Sequence, residues 1–329
     1  MWFEKLTGFR EESPEQVRAN LRIEGDAYVS LANNRRMRFG RLDVTTLEAL
    51  RQRGPDAAGL SGRLQLSEVV GNVQALHAQP ENAHALFQAA SQFNLLEMVE
   101  PNTTPEAGIG IYEYDRTQGP ACAIACGAGT IYRNYFAPVG DQIGQTASNQ
   151  IDCLSRIGAA LQNDEYQYWT MRNGYALLEE EALLALGAQL SDLTDAAREA
   201  LKGQLQVGIQ WNTEVTLQDS GHSVSQIYCS ALPVAYCAAA PESWEPFARL
   251  ILEATYEAAL HAAWINFQEN GSKRAYLTRV GGGAFGNKEP WILESLEKAL
   301  RQFESTPLDV RIVSYSAGNA GVGRLVAGF

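Results

Sequence analysis

The distribution of apolar and polar residues changes along this chain, and its second half predicts helices that alternate with short strands. In residues 244–267, and again in 290–303, apolar side chains recur every three or four positions, which is typical of helices that bury one face. Short bounded apolar runs predict buried strands at residues 121–125, 224–232, 275–280 and 310–315. This alternation predicts an α/β fold of three layers, α/β/α, around a mixed sheet.

The first hundred residues show more helical spacing than strand alternation. Helices are predicted from Ser13, a favourable capping residue before Pro14, and at residues 47–53, 66–77 and 81–93. Two short strands are predicted at residues 27–31 and 37–42, and a loop at 54–62. We therefore expect a mostly helical N-terminal accessory region at residues 1–100, followed by the larger α/β domain at 101–329.

The most informative segment is the glycine loop, residues 281–287, with the sequence Gly-Gly-Gly-Ala-Phe-Gly-Asn. It lies between a predicted strand and a predicted helix. Glycines leave main-chain N–H groups bare, and the helix start adds its positive dipole end, so the segment predicts a site for a diphosphate. Phe285 is unusual in such a loop and is placed to cover a sugar or a base. The alternative is a tight turn without a ligand.

A second loop, residues 139–145, contains Gly140, Asp141 and Gln145. A helix is predicted directly after it, at residues 146–161, with Asp152 near its first turn. Two carboxylates and a glutamine beside a polar loop suit the hydrolysis of a glycosidic bond, because one carboxylate can activate water while the other assists the leaving group. Asp141 could instead be an ordinary turn residue, and Asp152 could cap the helix.

Composition excludes several functions. The chain has 329 residues and a formal net charge of −12, so a broad nucleic-acid-binding face is not expected. Five scattered cysteines and no visible secretory signal predict a cytoplasmic protein with reduced thiols, although a non-cleaved export signal would give the same pattern. No apolar run approaches the roughly 18 residues of a membrane span. The sequence contains no Cys/His cluster, so a zinc site is not expected.

Taken together, these segments resemble the macrodomains of poly(ADP-ribose) glycohydrolase type. The glycine loop is similar to the diphosphate loop of that family, and residues 140–152 are similar to its catalytic loop. Residues 171–176, Met-Arg-Asn-Gly-Tyr-Ala, resemble its Gly-Tyr-Ala segment. The resemblance covers about residues 90–329 and is closest to the MavL-type branch, which removes ADP-ribose from arginine, including on ubiquitin. Residues 117–121 and 90–94 strengthen it.

The resemblance implies roles for individual residues. Main-chain N–H groups of Gly282, Gly283, Ala284 and Gly286 would hold the diphosphate. Phe285 would pack on a ribose, and Asn287 would close the loop. Gly140, Asp141 and Gln145 would surround the distal ribose, Asp141 and Asp152 would be the acid–base pair, and Asn94 and Tyr175 would contact the ligand.

The chain departs from the family at the catalytic loop, where Asp141 replaces a glycine and Ile151 and Asp152 replace two adjacent glutamates. This disfavours cleavage of poly(ADP-ribose) chains. The resemblance therefore implies an ADP-ribosylhydrolase that removes single ADP-ribose groups from protein side chains, with arginine as the expected acceptor. Its partner would be an ADP-ribosylated protein, with ubiquitin as one candidate. No cofactor is required, although a magnesium ion between Asp141 and the diphosphate is compatible with the sequence.

Two other functions remain open at this stage. A non-catalytic module that binds ADP-ribose or a related NAD metabolite would have the same loops. An NAD-dependent oxidoreductase is less favoured, because Gly-x-Gly-x-x-Gly occurs late in the chain, at residues 281–286, and no acidic residue follows about 20 positions later; Asp309 is further away.

Overall fold

The fold is built around one large mixed sheet. A computed structural model describes residues 1–55, 62–218 and 220–329 of the chain. The loop expected at residues 54–62 lies mostly outside the described residues. Within the described residues, the strands are β1 (Leu21–Glu24), β2 (Ala27–Ser30), β3 (Arg36–Arg38), β4 (Arg41–Thr46), β5 (Gln65–Val70), β6 (Leu86–Ala90), β7 (Pro138–Val139), β8 (Gln142–Ile143), β9 (Trp169–Arg172), β10 (Tyr175–Leu178), β11 (Gln206–Glu214), β12 (Ser223–Cys229), β13 (Arg274–Leu277) and β14 (Asp309–Ser314).

Helices precede, separate and follow these strands. In the same described ranges they are α1 (Trp2–Thr7), α2 (Pro14–Asn20), α3 (Leu47–Arg51), α4 (Val73–Ala78), α5 (Gln118–Ala125), α6 (Gly127–Ile131), α7 (Ser155–Ala160), α8 (Asn163–Tyr166), α9 (Glu180–Ser191), α10 (Asp195–Gly203), α11 (Pro241–Asn270), α12 (Glu289–Gln302) and α13 (Ala320–Gly328). One π-helical turn, Tyr132–Phe136, continues α6.

The central sheet has seven strands in the order β4-β11-β12-β6-β13-β14-β5. From β12 to β5 neighbouring strands run parallel, whereas β11 is antiparallel to both β4 and β12. The middle strand β6 is buried along most of its length, as expected for a parallel strand covered on both faces. All five parallel strands therefore end at the same edge of the sheet.

Helices cover both faces of this sheet. The long helix α11 packs on β6, β12 and β13 and is itself covered by α9 and α12. On the other face, α5 packs on β6 and α6 packs on β11, and Gln226 of β12 donates from Nε2 to the carbonyl oxygen of Cys122 in α5. The mixed α/β architecture with three layers is confirmed. The strands expected near residues 224–232, 275–280 and 310–315 and both long helices are also present.

The structure corrects the helices expected in the first hundred residues. Residues 66–77 form most of strand β5, a turn and helix α4, because Asn72 caps α4 by accepting from the main-chain N–H of Gln74. Residues 81–93 contain the buried strand β6, whose continuous apolar run cannot be distinguished from a buried helix by spacing. Since β4, β5 and β6 all belong to the central sheet, this region is not the mostly helical layer expected.

Two further expectations about secondary structure are wrong. Residues 121–125 belong to helix α5, in which the alanines favour a helix and Pro120 occupies the first turn. Residues 146–161 are helical only over α7, from Ser155, so Asp152 precedes the helix instead of lying on it.

A second, smaller core attaches the N-terminal elements to α5 and α6. It includes buried side chains from the segment 96–112, which follows the end of β6. Its main members are Phe3, Leu6, Val17, Tyr28, Met37, Leu96, Met98, Ile109, Tyr112, Ala123, Ala128, Ile131 and Tyr135. The N-terminal residues are therefore packed against the segments that follow the central strand.

Removing the Phe87 ring should destabilise the protein strongly. Phe87 is fully buried in β6, between His77 and Tyr276, with ring centroids 3.7 and 4.6 Å away. We expect Phe87→Ala to lower the free energy of unfolding by about 3–5 kcal/mol, measured by chemical denaturation. Leu184→Ala, at a side chain that is 59% exposed, should change it by no more than about 0.5 kcal/mol. Equal effects would contradict this assignment of the core.

Candidate ligand-binding and active site

A cavity of about 680 Å³ lies at the edge where the parallel strands end. Residues that follow β5, β6, β12 and β13 line it, as does the end of β14. Open α/β sheets bind ligands at the carboxyl ends of their strands, and this volume suits a molecule of nucleotide size. The cavity is therefore the candidate site.

The glycine loop forms one wall of this cavity and is held in shape by two glycines in the left-handed region. Gly281 has φ +76° and Gly286 has φ +72°. A Cβ at Gly281 would lie 2.5 Å from the Cβ of Ala231, so no other residue fits there. Asn287 joins the two ends of the loop, since its N–H donates to the carbonyl oxygen of Gly281 and its Nδ2 donates to that of Leu232.

Three consecutive main-chain donors of the loop are free. Within the described ranges, the N–H groups of Gly283, Ala284 and Phe285 have no hydrogen-bond acceptor. By contrast, the N–H of Gly282 donates to Arg279 and that of Gly286 donates to Gly283, each over 3.1 Å. Of the four donors expected from the sequence, Gly282 and Gly286 are therefore used within the turn, and Phe285 is an additional free donor.

Gly283 differs from the glycines that shape the loop. Its φ lies outside the left-handed region, and a Cβ added there would meet nothing within 4 Å. The fold itself does not require glycine at this position. The absent side chain leaves open space beside this residue, whose own N–H is one of the free donors, so a ligand can approach the main chain closely here.

The start of helix α5 forms another wall. The Gln118 side chain accepts from the N–H of Ala90 and donates to the carbonyl oxygen of Gln88, over 2.9 and 2.7 Å, which ties the helix start to β6. A Cβ at Gly119 would lie 1.9 Å from the Ala90 oxygen, so the helix can approach the strand this closely only with glycine. The first turn, residues 117–121, lines the cavity and adds its positive dipole end.

Three aromatic rings form a cluster at the glycine loop. Phe285 lies 5.3 Å from Tyr175 and 5.7 Å from Tyr236 between ring centroids, and the two tyrosines are 5.1 Å apart. All three line the cavity. Phe285 is therefore supported by protein on one side, and Tyr175, whose hydroxyl donates to the carbonyl oxygen of Met98, is fixed in place.

Sequence reasoning missed the acidic residues of the cavity, which are Glu97, Glu113 and Asp115. Oδ1 of Asp115 accepts from the N–H of Thr117 over 2.8 Å. Burial is the main cause of the raised pKa of Glu97 and of Tyr175, and the Asp115 carboxylate adds to both shifts. The segment 115–117, Asp-Arg-Thr, has the spacing of an Asx turn, and this signal could have identified Asp115.

Glu97 and Arg133 form a buried pair beside the cavity. Nη2 of Arg133 lies 3.5 Å from Oε1 of Glu97, and its guanidinium is 3.5 Å from the centroid of the Tyr228 ring. In the described part of the chain, Glu97 Oε2 and Arg133 Nη1 have no hydrogen-bond partner. Burial raises the pKa of Glu97 to about 8, against the opposing effect of Arg133. A carboxyl with this pKa retains its proton near neutral pH.

The structure places the predicted acid–base pair elsewhere. Asp141, with Gly140, occupies the exposed turn between β7 and β8. Asp152 accepts from the N–H of Leu154 over 2.8 Å, and the next residue contacts the start of β11; burial raises the pKa of the Asp152 carboxyl. Neither aspartate is among the described residues that line the cavity.

Gln145 and Asn94 are buried structural residues in this fold. Gln145 donates to the carbonyl oxygens of Asn94 and Arg133 and accepts from the N–H of Ile151. Asn94 donates to the side chain of Gln150. These contacts use the amides to join separate loops, and neither residue lines the cavity, so the expected ligand contacts at both positions are not supported.

Two whole-chain features complete the description. No helix in the described ranges is long and apolar enough to cross a membrane. Among the same residues, no group of three or more His, Cys, Asp or Glu side chains is arranged to hold a metal ion.

Comparisons with known proteins give structural similarity alone. No family model matches the chain, and no curated protein matches it. Its structure is similar to that of poly(ADP-ribose) glycohydrolase from Thermomonospora curvata bound to the inhibitor ADP-HPD, with a TM-score of 0.47 and 10% identity over 99% of this chain and 98% of that one. It is also similar to poly(ADP-ribose) glycohydrolase from Deinococcus radiodurans in complex with ADP-ribose, with a TM-score of 0.41 and 12% identity over 87% and 91% of the respective chains.

The pH dependence of stability should report the buried Glu97 carboxyl. Its pKa of about 8 in the folded protein lies above its ordinary value of 4.5. Between these values the folded state holds a proton that the unfolded chain has lost, so this group makes stability fall as the pH rises. We expect unfolding free energies of Glu97→Gln to decline less steeply between about pH 5 and 8, by up to about 1 kcal/mol per pH unit.

Denaturation curves recorded across this pH range measure that difference in slope, which is independent of any constant loss of stability in the variant. Glu165→Gln, at an exposed glutamate, is the control and should follow the wild-type slope. Parallel profiles for wild type and Glu97→Gln would show that Glu97 is ionised throughout the range.

Proposed function

We propose that this protein is an ADP-ribosylhydrolase that removes single ADP-ribose groups from protein side chains. One observation supports this most directly. Three free main-chain donors, at residues 283–285, line the same cavity as the start of α5 and the carboxylate of Asp115. Such a site combines donors for a diphosphate with an acid–base group for the bond beside it.

The diphosphate would be held mainly by main-chain dipoles. Free N–H groups of the glycine loop and the first turn of α5 supply donors from two walls. Two arginines also line the cavity: Arg279, which is paired with Glu289 over 3.2 Å, and Arg116, which has no ion pair within the described residues. This local arrangement would allow an anion to bind a chain whose net charge is −12.

Asp115 is the residue we assign to the activation of water. Its Oδ1 is used by the N–H of Thr117, which fixes the carboxylate and leaves Oδ2 for a water molecule. Attack of that water on the anomeric carbon forms a C–O bond, and Asp115 takes the proton of the water. The bond between the anomeric carbon and the acceptor nitrogen breaks with its electron pair left on nitrogen, so a protonated guanidinium acceptor leaves as neutral guanidine. A carboxylate here would also stabilise the positive charge that develops on the ribose.

The acceptor is proposed to be arginine because of the residues around Asp115. Glu113 and the indole of Trp2 line the same cavity. Two carboxylates and an aromatic face are suitable partners for a planar guanidinium, which forms charge-assisted hydrogen bonds and stacks on rings. The natural substrate would then be an ADP-ribosylated protein, and ubiquitin remains one candidate.

A substitution at Gly283 should block the ligand without unfolding the protein. We expect Gly283→Val to weaken ADP-ribose binding at least tenfold, because its side chain would occupy the open space beside the free N–H of this residue. Isothermal titration calorimetry measures the affinity, and thermal unfolding checks the fold. Gly323→Val is the matched control, since Gly323 also faces open space but does not line the cavity.

Gly281→Ala should behave in the opposite way and lower the melting temperature, since Gly281 combines a positive φ with a close contact. If Gly283→Val binds ADP-ribose as tightly as wild type, the free donors do not hold the ligand.

The catalytic assignment is tested by comparing three aspartates. Asp115→Asn retains an oxygen that can accept from the N–H of Thr117 but cannot accept the proton, so we expect turnover of ADP-ribosylated arginine to fall about 10²–10⁴-fold with ADP-ribose affinity nearly unchanged. Asp141→Asn and Asp152→Asn should retain wild-type turnover, because neither residue lines the cavity. Loss of turnover in either control, with activity retained in Asp115→Asn, would restore the assignment made from the sequence.

A non-catalytic ADP-ribose-binding module is the second candidate, favoured by the position of Asp141 and Asp152 outside the cavity. Wild-type protein that binds ADP-ribose but releases none from modified proteins would establish it. Tighter binding of NAD than of ADP-ribose, together with hydride transfer, would instead indicate an oxidoreductase.

A further inference from the structure

Glu11, near the start of the chain, is bound in a cradle formed by the loop at residues 108–110. Its Oε1 accepts from the N–H of Ile109 over 3.0 Å and from the hydroxyl of Tyr135 over 2.5 Å. Its Oε2 accepts from the N–H of Gly110 over 2.6 Å. Burial raises the pKa of Glu11, and these three hydrogen bonds act in the opposite direction. The carboxyl group thus has a partner for each oxygen.

Two glycines make room for this carboxyl group. A Cβ at Gly108, which has φ +82°, would lie 2.7 Å from Oε2 of Glu11, and a Cβ at Gly110 would lie equally close. Both contacts are shorter than any ordinary approach of a side chain. The two glycines therefore allow the loop to approach this closely the carboxyl group of a residue about a hundred positions away.

A second contact ties the N-terminus to the same part of the chain. The N–H of Trp2 donates to Oε2 of Glu113 over 3.0 Å, and the Trp2 indole donates to the carbonyl oxygen of Ile109 over 3.2 Å. Glu113 and Trp2 both line the cavity. Residues 2 and 11 thus hold the segment from both its start and its middle.

The held segment leads directly to Asp115. A 3-10 helix, Gly110–Tyr114, begins at the Glu11 cradle, and the N–H of Asp115 donates to the carbonyl oxygen of Tyr112 at its end. The Tyr112 hydroxyl accepts from the main-chain N–H of Glu97. One short rigid turn therefore connects the cradle with the acidic residues of the cavity.

We propose that Glu11 is a positioning residue that fixes the segment 109–115 and so holds the Asp115 carboxylate in its working position. The N-terminal region is then part of the active site's support, and its contacts set the geometry of catalysis. This inference rests on the proposed function for its catalytic consequence, whereas its structural consequence does not.

The test compares Glu11→Gln and Glu11→Ala with Glu12→Gln in the full chain. Glu12 is the matched control because it is the adjacent acid and is exposed. We expect Glu11→Ala to lower kcat for ADP-ribosylated arginine about 10- to 100-fold, since a small misplacement of a catalytic group is costly, with KM within about twofold. Glu11→Gln, which keeps one acceptor oxygen, should have a kcat between those of Glu11→Ala and wild type. Glu12→Gln should have the kcat of wild type.

Two further measurements separate positioning from loss of folded protein and from failure of the proposed function. The stoichiometry of ADP-ribose binding by calorimetry gives the competent fraction, to which kcat is normalised. Hydrogen–deuterium exchange follows the N–H of Thr117, which donates to Asp115 and does not contact Glu11; it should exchange faster in Glu11→Ala and unchanged in Glu12→Gln.

The outcomes are distinct. If wild type has no hydrolase activity but Thr117 exchange rises in Glu11→Ala, the proposed function fails and the positioning role stands. If Thr117 exchange does not change in Glu11→Ala, or if the normalised kcat of this variant equals that of an active wild type, the positioning role is overturned.

Discussion

The candidate site depends on how closely helix α5 approaches the central strand β6. The Gln118 side chain bonds to main-chain groups at Ala90 and Gln88, where the strand ends. Gly119 permits the contact because a Cβ would collide with the Ala90 oxygen. Because of this contact, the position of β6 in the sheet fixes the position of the first turn of α5 and of Asp115 just before it. Without it, the cavity would lose the wall opposite the glycine loop.

Local signals predicted one half of the site, and tertiary contacts decided the other half. The glycine loop was recognisable because a strand, glycines and an amphipathic helix follow one another in sequence. The sequence did not show which main-chain donors of this loop are free. Turn hydrogen bonds use the N–H groups of Gly282 and Gly286 and leave the N–H groups of residues 283–285 without an acceptor. Strand β6 and helix α5 were misassigned since buried apolar runs and small residues fit both kinds of element.

The acidic residues show why residue type and spacing did not identify the site. Asp115 and Asp152 each accept a main-chain N–H two residues later, over 2.8 Å in both cases, so their local structures are nearly alike. Only Asp115 precedes the helix that packs on β6 and so lines the cavity. A turn-forming aspartate acquires a chemical role from its place in the tertiary structure, and a single sequence does not contain that information.

A binding site that relies on main-chain donors also explains why the surrounding loops are tightly fixed. A dipole is effective only at close range and in the right direction, whereas a lysine or arginine can follow its ligand. In a chain with a net charge of −12 and the Glu113 and Asp115 carboxylates in the cavity, displaced donors would leave an anion exposed to repulsion. The left-handed glycines, the hydrogen bonds of Asn287 and those of Gln118 each restrict the movement of these donors. Rigidity at this edge of the sheet is therefore a requirement of the electrostatics, and the N-terminal contacts at Trp2 and Glu11 extend it to the acidic wall.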